Sequence, residues 1–377
     1  MKTLIPILFL SLLFASQIEK ITRQAEKKRR RRHSVFLILY FSLLLLTLAL
    51  PIGLRRIYND TGAYIYTFIY SPYLKGLIEY GDLHLLHNPA FSLYTALMRT
   101  LTDNYHVYFM IPALFVQGSF IAFLYRYCKH FTLGVGLYIC LGTYVFSFAA
   151  MKQTIAMAFL LLAIPFLLKK KYIRYFLLVF IAFLFHTYAI AFAILPLLAA
   201  KPWKLRTYLL LIGTLFIMWN FEGVIGTFLD YANENGKHLA EYEVFDNAQV
   251  NIFRVSVYAV VPILSFLLRN YLFRGEYSKE YALFTHMSIL SFAFMLLGTI
   301  SGANMFARMA SYFETGMICA LPWVLHKALD RQTARIVTAI ACICFLVYFV
   351  YANEVAHVFS DHYRAITLLE FLQSLFE

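Results

Sequence analysis

Charged side chains are scarce. Asp, Glu, Lys and Arg make up 14% of the 377 residues, against about 25% in an ordinary soluble domain. That shortage excludes a cytosolic enzyme of the usual kind. The sequence also lacks a low-complexity linker, an internal repeat and any short period, which excludes a disordered chain, collagen and a coiled coil. Cysteines are few, and the five present (Cys128, Cys140, Cys319, Cys342, Cys344) lack metal-ligand spacing. Cys342 and Cys344 stand two apart and point to different sides of a helix, so they read as small hydrophobes. No Asp-x-Asp pair offers a divalent cation to a nucleotide-sugar.

What the chain does hold is apolar. Hydrophobic residues reach 61% and aromatics 18%, with 37 Phe and 28 Tyr, a composition suited to lipid and its interfaces. The apolar residues come in blocks near the roughly 20 residues that a bilayer-crossing helix needs. These features predict an all-α, polytopic integral membrane protein with one membrane domain. The net charge of +13 would suggest nucleic acid for a soluble protein. Here the densest basic run, Lys27 to Arg32, lies between two apolar stretches, where a cytoplasmic topogenic signal belongs. Nucleic acid is therefore not an expected partner.

Charge placement predicts the topology. Leu4–Ile18 is preceded only by Lys2 and followed by the basic cluster, so it reads as a signal anchor with its N-terminus outside. Further spans are expected at Val35–Leu54, Tyr105–Tyr125, Phe131–Phe148, Thr154–Leu168, Tyr208–Trp219, Val255–Leu268, Tyr281–Ile300, Met309–Leu325 and Ile336–Ala352. Tyr175–Ala200 lies between two basic clusters. It is expected to be a hairpin of two short helices turning near His186-Thr187, with one long tilted span as the rival. The total is twelve spans with both termini outside. On this reading 23 of the 33 Lys and Arg lie on the cytoplasmic side. Residues 55–104 and an acidic loop at 220–254 face outward. Apolar residues recur near helical spacing in Ala356–Phe376, which predicts an interfacial helix in a tail of residues 356–377.

Ionisable groups at membrane depth tend to mark sites. Five clusters qualify, all on the expected outer face. The first is Arg55-Arg56, followed by Asp60, Thr61 and Tyr64; its guanidinium forks suit phosphate, with headgroup contact and a salt bridge to Asp60 as the rival. The second is His84, His87, Asn88 and Pro89, where Asn88 would cap a helix starting at Pro89. The two histidines have no evident third metal ligand. The third is Lys152-Gln153 in a short turn: a cation at a cavity mouth, or an interfacial lysine. The fourth is His186 at the hairpin apex, a functional or a structural histidine. In the fifth, Arg308 opens a span with Ser311 and Tyr312 on its helical face, while Glu314 falls on another. A structural Arg–Glu pair is the alternative there.

In this order the clusters resemble the EpsG family of Wzy-like exopolysaccharide and O-antigen polymerases. The quoted motifs are Arg56, Asp60, Thr61 and Tyr64; Asn88-Pro89-Ala90-Phe91; Lys152-Gln153-Thr154-Ile155-Ala156; Phe185-His186-Thr187-Tyr188-Ala189; and Arg308, Tyr312 and Phe313. The chain departs from the family pattern in carrying Lys152 for arginine and Asn88 for an acidic residue. The resemblance implies a glycosyltransferase of the bacterial cytoplasmic membrane, working at the outer leaflet without a cofactor or metal. Its substrate would be an undecaprenyl-pyrophosphate-linked oligosaccharide, and its partners membrane lipid and the flippase and chain-length regulator of its pathway. His186, Arg308 and Asp60 are then the expected catalytic residues. Arg55, Arg56, Tyr64, Lys152, Gln153, Tyr312 and Glu314 are the expected substrate contacts. A polyprenyl-linked glycan ligase and a lipid-linked oligosaccharide flippase are the alternatives.

Overall fold

A backbone in lipid must satisfy its own hydrogen bonds, so apolar runs of this kind close into helices. The computed structural model describes residues 1–27, 35–81, 83, 87–220, 249–300, 304–356, 359 and 362–376. It is 80% helical, which makes the fold all-α. Among the described residues six helices are long and apolar enough to cross a membrane, or seven if a bent pair counts as one span. Four shorter apolar helical stretches of 10–17 residues accompany them among the described residues.

The chain divides into two compact units, Met1–Ala189 with Ile336–Glu377, and Ile190–Arg335. In the first, the helices are α1 (Leu4–Lys27), α2 (Val35–Gly53), α3 (Thr61–Tyr70), α4 (Leu74–Tyr80), α5 (Pro89–Leu101), α6 (Tyr105–Tyr127), α7 (Phe131–Cys140), α8 (Thr143–Ala149), α9 (Met151–Leu168) and α10 (Tyr172–Phe185). A short strand β1 (Arg55–Ile57) follows α2. Helix α6 packs on α2 and α9, α1 on α2 and α7, and α10 on α9 and α5. Glu19 of α1 fastens the start of α7 by accepting from the Thr132 N–H at 2.9 Å and its hydroxyl at 2.7 Å. Helix α9 has 18 residues and is ~27 Å long, so Lys152 and the run Lys169-Lys170-Lys171 stand at opposite ends of this unit.

The second unit begins within a 3₁₀ stretch, Thr187–Ile194, and continues with α11 (Leu195–Leu198), α12 (Leu205–Trp219), α13 (Ile252–Leu267), α14 (Arg269–Leu272), α15 (Lys279–Leu297), α16 (Asn304–Ser311) and α17 (Glu314–Ala328). Helix α15 is its hub and packs on α11, α12, α13, α16 and α17. Gly316 permits the α15–α17 approach, since a Cβ there would lie 2.6 Å from the Phe284 carbonyl oxygen. Helix α18 (Arg331–Val350) then leads back to the first unit and ends in a π-helical turn, Tyr351–Val355. The tail carries strand β2 (Arg364–Ala365) and α19 (Leu368–Gln373).

Several expectations need correcting. The Phe131–Phe148 span is bent by 50° between α7 and α8. Gly142 makes the break, with a φ of +94° that glycine adopts at little cost. Lys152-Gln153 lie in the first turn of α9, because the chain turns at Ala149-Ala150 instead. Within residues 55–104 the helix expected from Pro89 is present as α5, and a strand and two further helices, α3 and α4, precede it. Among its described residues the tail is helical only over Leu368–Gln373, because β2 pairs antiparallel with β1 and withdraws those residues from any helix. The 175–200 stretch breaks at His186, whose backbone is extended at the end of α10. His84 and most of the acidic loop, residues 221–248, lie outside the described residues.

Candidate functional site

The first unit's candidate site is built where α2 ends. Arg55 turns inward and is 1% exposed, while the next residue, Arg56, is exposed. The Arg55 guanidinium donates to the Ile52 carbonyl (Nη1, 2.7 Å) and to the Thr61 hydroxyl (Nε, 3.2 Å). It also lies 4.0 Å from the centroid of the Phe109 ring, a contact worth ~2 kcal/mol when desolvated. The Thr61 hydroxyl in turn donates to the Tyr58 carbonyl. Burial depresses the Arg55 pKa to about 10, still far above neutrality, so the group is a buried cation. Among the described residues its Nη2 has no hydrogen-bond partner. Arg55 lines a narrow cleft together with Gln117, Ser147 and Thr154 among apolar side chains.

Asp60 is exposed at the N-cap position of α3, with no side-chain cap bond. Among the described residues neither arginine forms an ion pair with it. Four residues on, Tyr64 is buried against Phe91, their rings edge to face at 5.9 Å. Its hydroxyl lies against the backbone N–H groups of Met151 and Lys152 at the start of α9. Burial pushes the phenol up to about 12, so it stays neutral. The Lys152 ammonium sits 5.0 Å from the centroid of the same Phe91 ring, and Gln153 is buried beside it.

One turn before Phe91, Asn88 holds a left-handed backbone (φ 55°) at the N-cap of α5. Its side chain makes no cap bond, contrary to expectation, and instead accepts from the Thr187 hydroxyl at 3.4 Å. His186 precedes that threonine, half-buried, its ring edge to face with Tyr188 at 5.2 Å. Four of the five sequence clusters thus meet in one unit, with Phe91 of α5 touching two of them.

A clasp from the far end of the chain closes over β1. Arg55 pairs with Ala365 and Ile57 with Arg364, and the Ile366 N–H donates to Leu54 at 3.0 Å. The Tyr363 hydroxyl donates to the Pro51 carbonyl at 2.7 Å, and Phe359 stacks on buried Tyr58 at 5.1 Å. Asn104, at the start of α6, donates to Ser374 at 2.8 and 3.0 Å. Nothing local in the sequence marks this clasp, since its partners lie 270 or more residues apart.

The fifth cluster belongs to the second unit. Arg308 is half-buried in α16, and the Ser311 hydroxyl donates back to its carbonyl at 2.7 Å. Tyr312 does not share a helical face with Arg308, because α16 ends at Ser311. The expected span Met309–Leu325 is broken there, as Phe313 inserts between Phe192 (5.3 Å) and Phe294 (5.7 Å). Glu314 opens α17 fully buried and accepts from the Tyr258 hydroxyl at 2.5 Å. Arg254 lies 5.9 Å from the Tyr258 ring, one turn back on α13. Sequence reasoning overlooked Tyr258 and Arg254. Their signal was an arginine outside, against the charge bias, with an aromatic at i+4.

The chain matches the model of the EpsG family over residues 38–363. It belongs to the EpsG family. No curated protein and no solved structure matches it. The EpsG match takes in all five clusters and stops at Tyr363, within the clasp, so β2 and α19 lie beyond it.

Proposed function

We propose that this EpsG-family chain polymerises lipid-linked oligosaccharide repeat units in exopolysaccharide, capsule or O-antigen synthesis. A growing glycan passes from an undecaprenyl-pyrophosphate carrier to the non-reducing end of a second lipid-linked unit, at the outer leaflet of the cytoplasmic membrane. One observation carries the reading. Four motif clusters converge at the end of the first unit opposite Lys169-Lys170-Lys171, the end that the positive-inside rule assigns to the outside.

In the transfer, an acceptor hydroxyl oxygen bonds to the anomeric carbon while the bond from that carbon to the pyrophosphate breaks. The pyrophosphate leaves with the electron pair. Exposed Arg56 with Lys152 and His186 supplies positive charge toward that leaving group. Asp60 takes up the hydroxyl proton or orients the acceptor. Lys152 acts as a point charge, without the bidentate fork of an arginine.

The test is incubation of the purified protein with purified lipid-linked repeat units, reading product length. A ladder of multiples is expected. Arg56→Ala should lose roughly 10²–10³ in rate, which is ~2–4 kcal/mol of transition-state stabilisation. A single transfer without lengthening makes the chain a ligase. Translocation with no new covalent product makes it a transporter.

A further inference from the structure

Helix α19 and the turn after it carry their apolar residues on one side. Leu368, Leu369, Leu372, Leu375 and Phe376 stand at i, i+1, i+4, i+7 and i+8, so they share a helical face. All five are exposed, Leu369 at 67% and Phe376 at 91%. The other sides of the helix are occupied. Glu370 closes a capping box, its carboxylate accepting from the Thr367 N–H at 2.6 Å and the Thr367 hydroxyl at 2.9 Å. Ser374 accepts from the Asn104 amide through its carbonyl and its hydroxyl, and Phe371, three residues back on that side, is half-buried. A six-residue helix is marginal in water by itself, so the cap and the Asn104 tether decide which way its apolar face points.

Two spans set the level of this helix. Asn104 is the residue before α6, and Ile366, two residues before α19, donates to Leu54, the residue after α2. Helices α2 and α6 are each long and apolar enough to cross a bilayer, and they pack on one another. With 23 residues α6 is ~34 Å long, somewhat more than the roughly 30 Å hydrocarbon core, so its ends reach the headgroup layer. The tail therefore runs from the end of one span to the start of another, at the level where lipid meets water. Acyl chains lie within reach of an exposed apolar face there. The helix has no Lys or Arg, so its attraction to the surface does not depend on anionic headgroups.

We propose that α19 lies in the membrane interface with its five exposed apolar side chains among the acyl chains, and that this contact anchors the clasp. Strand β2 lies between α19 and the end of α2, so lipid that holds α19 also holds β2 against β1. The bilayer is then one of the partners that close the strand carrying Arg55, whatever reaction the protein performs.

The experiment places a photoreactive benzophenone amino acid at position 369, at 376 or, on the polar side, at 373 of the full-length protein in phosphatidylcholine nanodiscs. Irradiation should give phospholipid adducts at 369 and 376, and about fivefold fewer at 373. Phosphatidylglycerol in place of phosphatidylcholine should leave the yields within about twofold. Crosslinks to a second copy of the chain, or no lipid adducts at 369 and 376, overturn the docking. Yields that rise about tenfold with phosphatidylglycerol assign the contact to headgroups and overturn the acyl-chain reading. The anchoring is read separately with Leu369→Asp and Leu372→Asp combined, which leave the capping box and Ser374 in place. Trypsin should then cut after Arg56 about tenfold faster than in wild type, because β1 opens more often. An unchanged cutting rate overturns the anchoring. If the double variant fails to fold, Leu369→Asp alone is read in the same way. Neither measurement uses polymer synthesis, so failure of the polymerase reading leaves both outcomes intact.

Discussion

At the scale of single residues, the two adjacent arginines have different fates, which their identity alone could not distinguish. Arg55 is enclosed by Ile52, Thr61 and Phe109, whereas Arg56 is exposed. The sequence marked both as outward cations against the charge bias. It could not mark the cleft residues Gln117, Ser147 and Thr154, because polar residues inside apolar helices carry no local signature of what they face. His186 was legible, since it interrupts an apolar stretch, and its place beside Thr187 and Asn88 brings it to the other clusters. Two roles for it separate experimentally. A cationic His186 that pairs with diphosphate predicts activity that falls as pH rises through its titration, with partial rescue by His186→Lys. A general base predicts activity that falls as pH drops, with no rescue by a permanent cation. The neighbouring Lys152 makes this end of the unit cationic and favours the first outcome. Polymerisation by wild type, His186→Ala and His186→Lys across pH 5.5–8.5 reads the difference. Full activity in His186→Ala removes the residue from the site.

Among the elements, the long apolar helices were readable and the breaks between them were not. Span length follows from hydropathy, so α2, α6, α9 and α15 sit close to where their apolar runs place them. The bend at Gly142 and the interruption at Tyr312-Phe313 depend on which aromatic finds a tertiary partner, and no local pattern encodes that. The clasp is the extreme case. Its Tyr363 combines a hydroxyl bond to Pro51 with ring contacts to Phe148 at 5.6 Å and Tyr58 at 6.3 Å. Burial pushes its phenol up to about 12, so it keeps its proton and its donor role at any working pH. Tyr363→Phe should cost on the order of 1 kcal/mol through the lost hydrogen bond. Tyr363→Ala should cost roughly 2–3 kcal/mol through lost packing. Limited proteolysis should then cut residues 55–60 faster in the order wild type, Phe, Ala, because the opening free energy of β1 falls in that order. Equal cutting rates in all three would show that β1 stands without the clasp.

For the whole molecule, the orientation rests on charge placement. Within the first unit the helix lengths keep the basic ends apart from the motif residues. Lys75 is exposed on α4, and Lys170 follows the end of α9. With an impermeant thiol reagent on intact spheroplasts, Lys75→Cys should label and Lys170→Cys should label only after permeabilisation. The reverse pattern would invert the topology and place every candidate residue on the cytoplasmic face. The pairing of β1 with β2 also bears on how the protein is made. Arg55 leaves the ribosome some 310 residues before Ala365, and at about 5–20 residues per second that is a wait of roughly 15–60 s. During that interval every spanning helix can enter the membrane while the strand beside the buried arginine still lacks its partner. A nascent chain cut short between the last spanning helix and β2 would therefore be inserted yet lack the partner of β1, and premature stops directly after residue 356 should yield abundant, inactive protein.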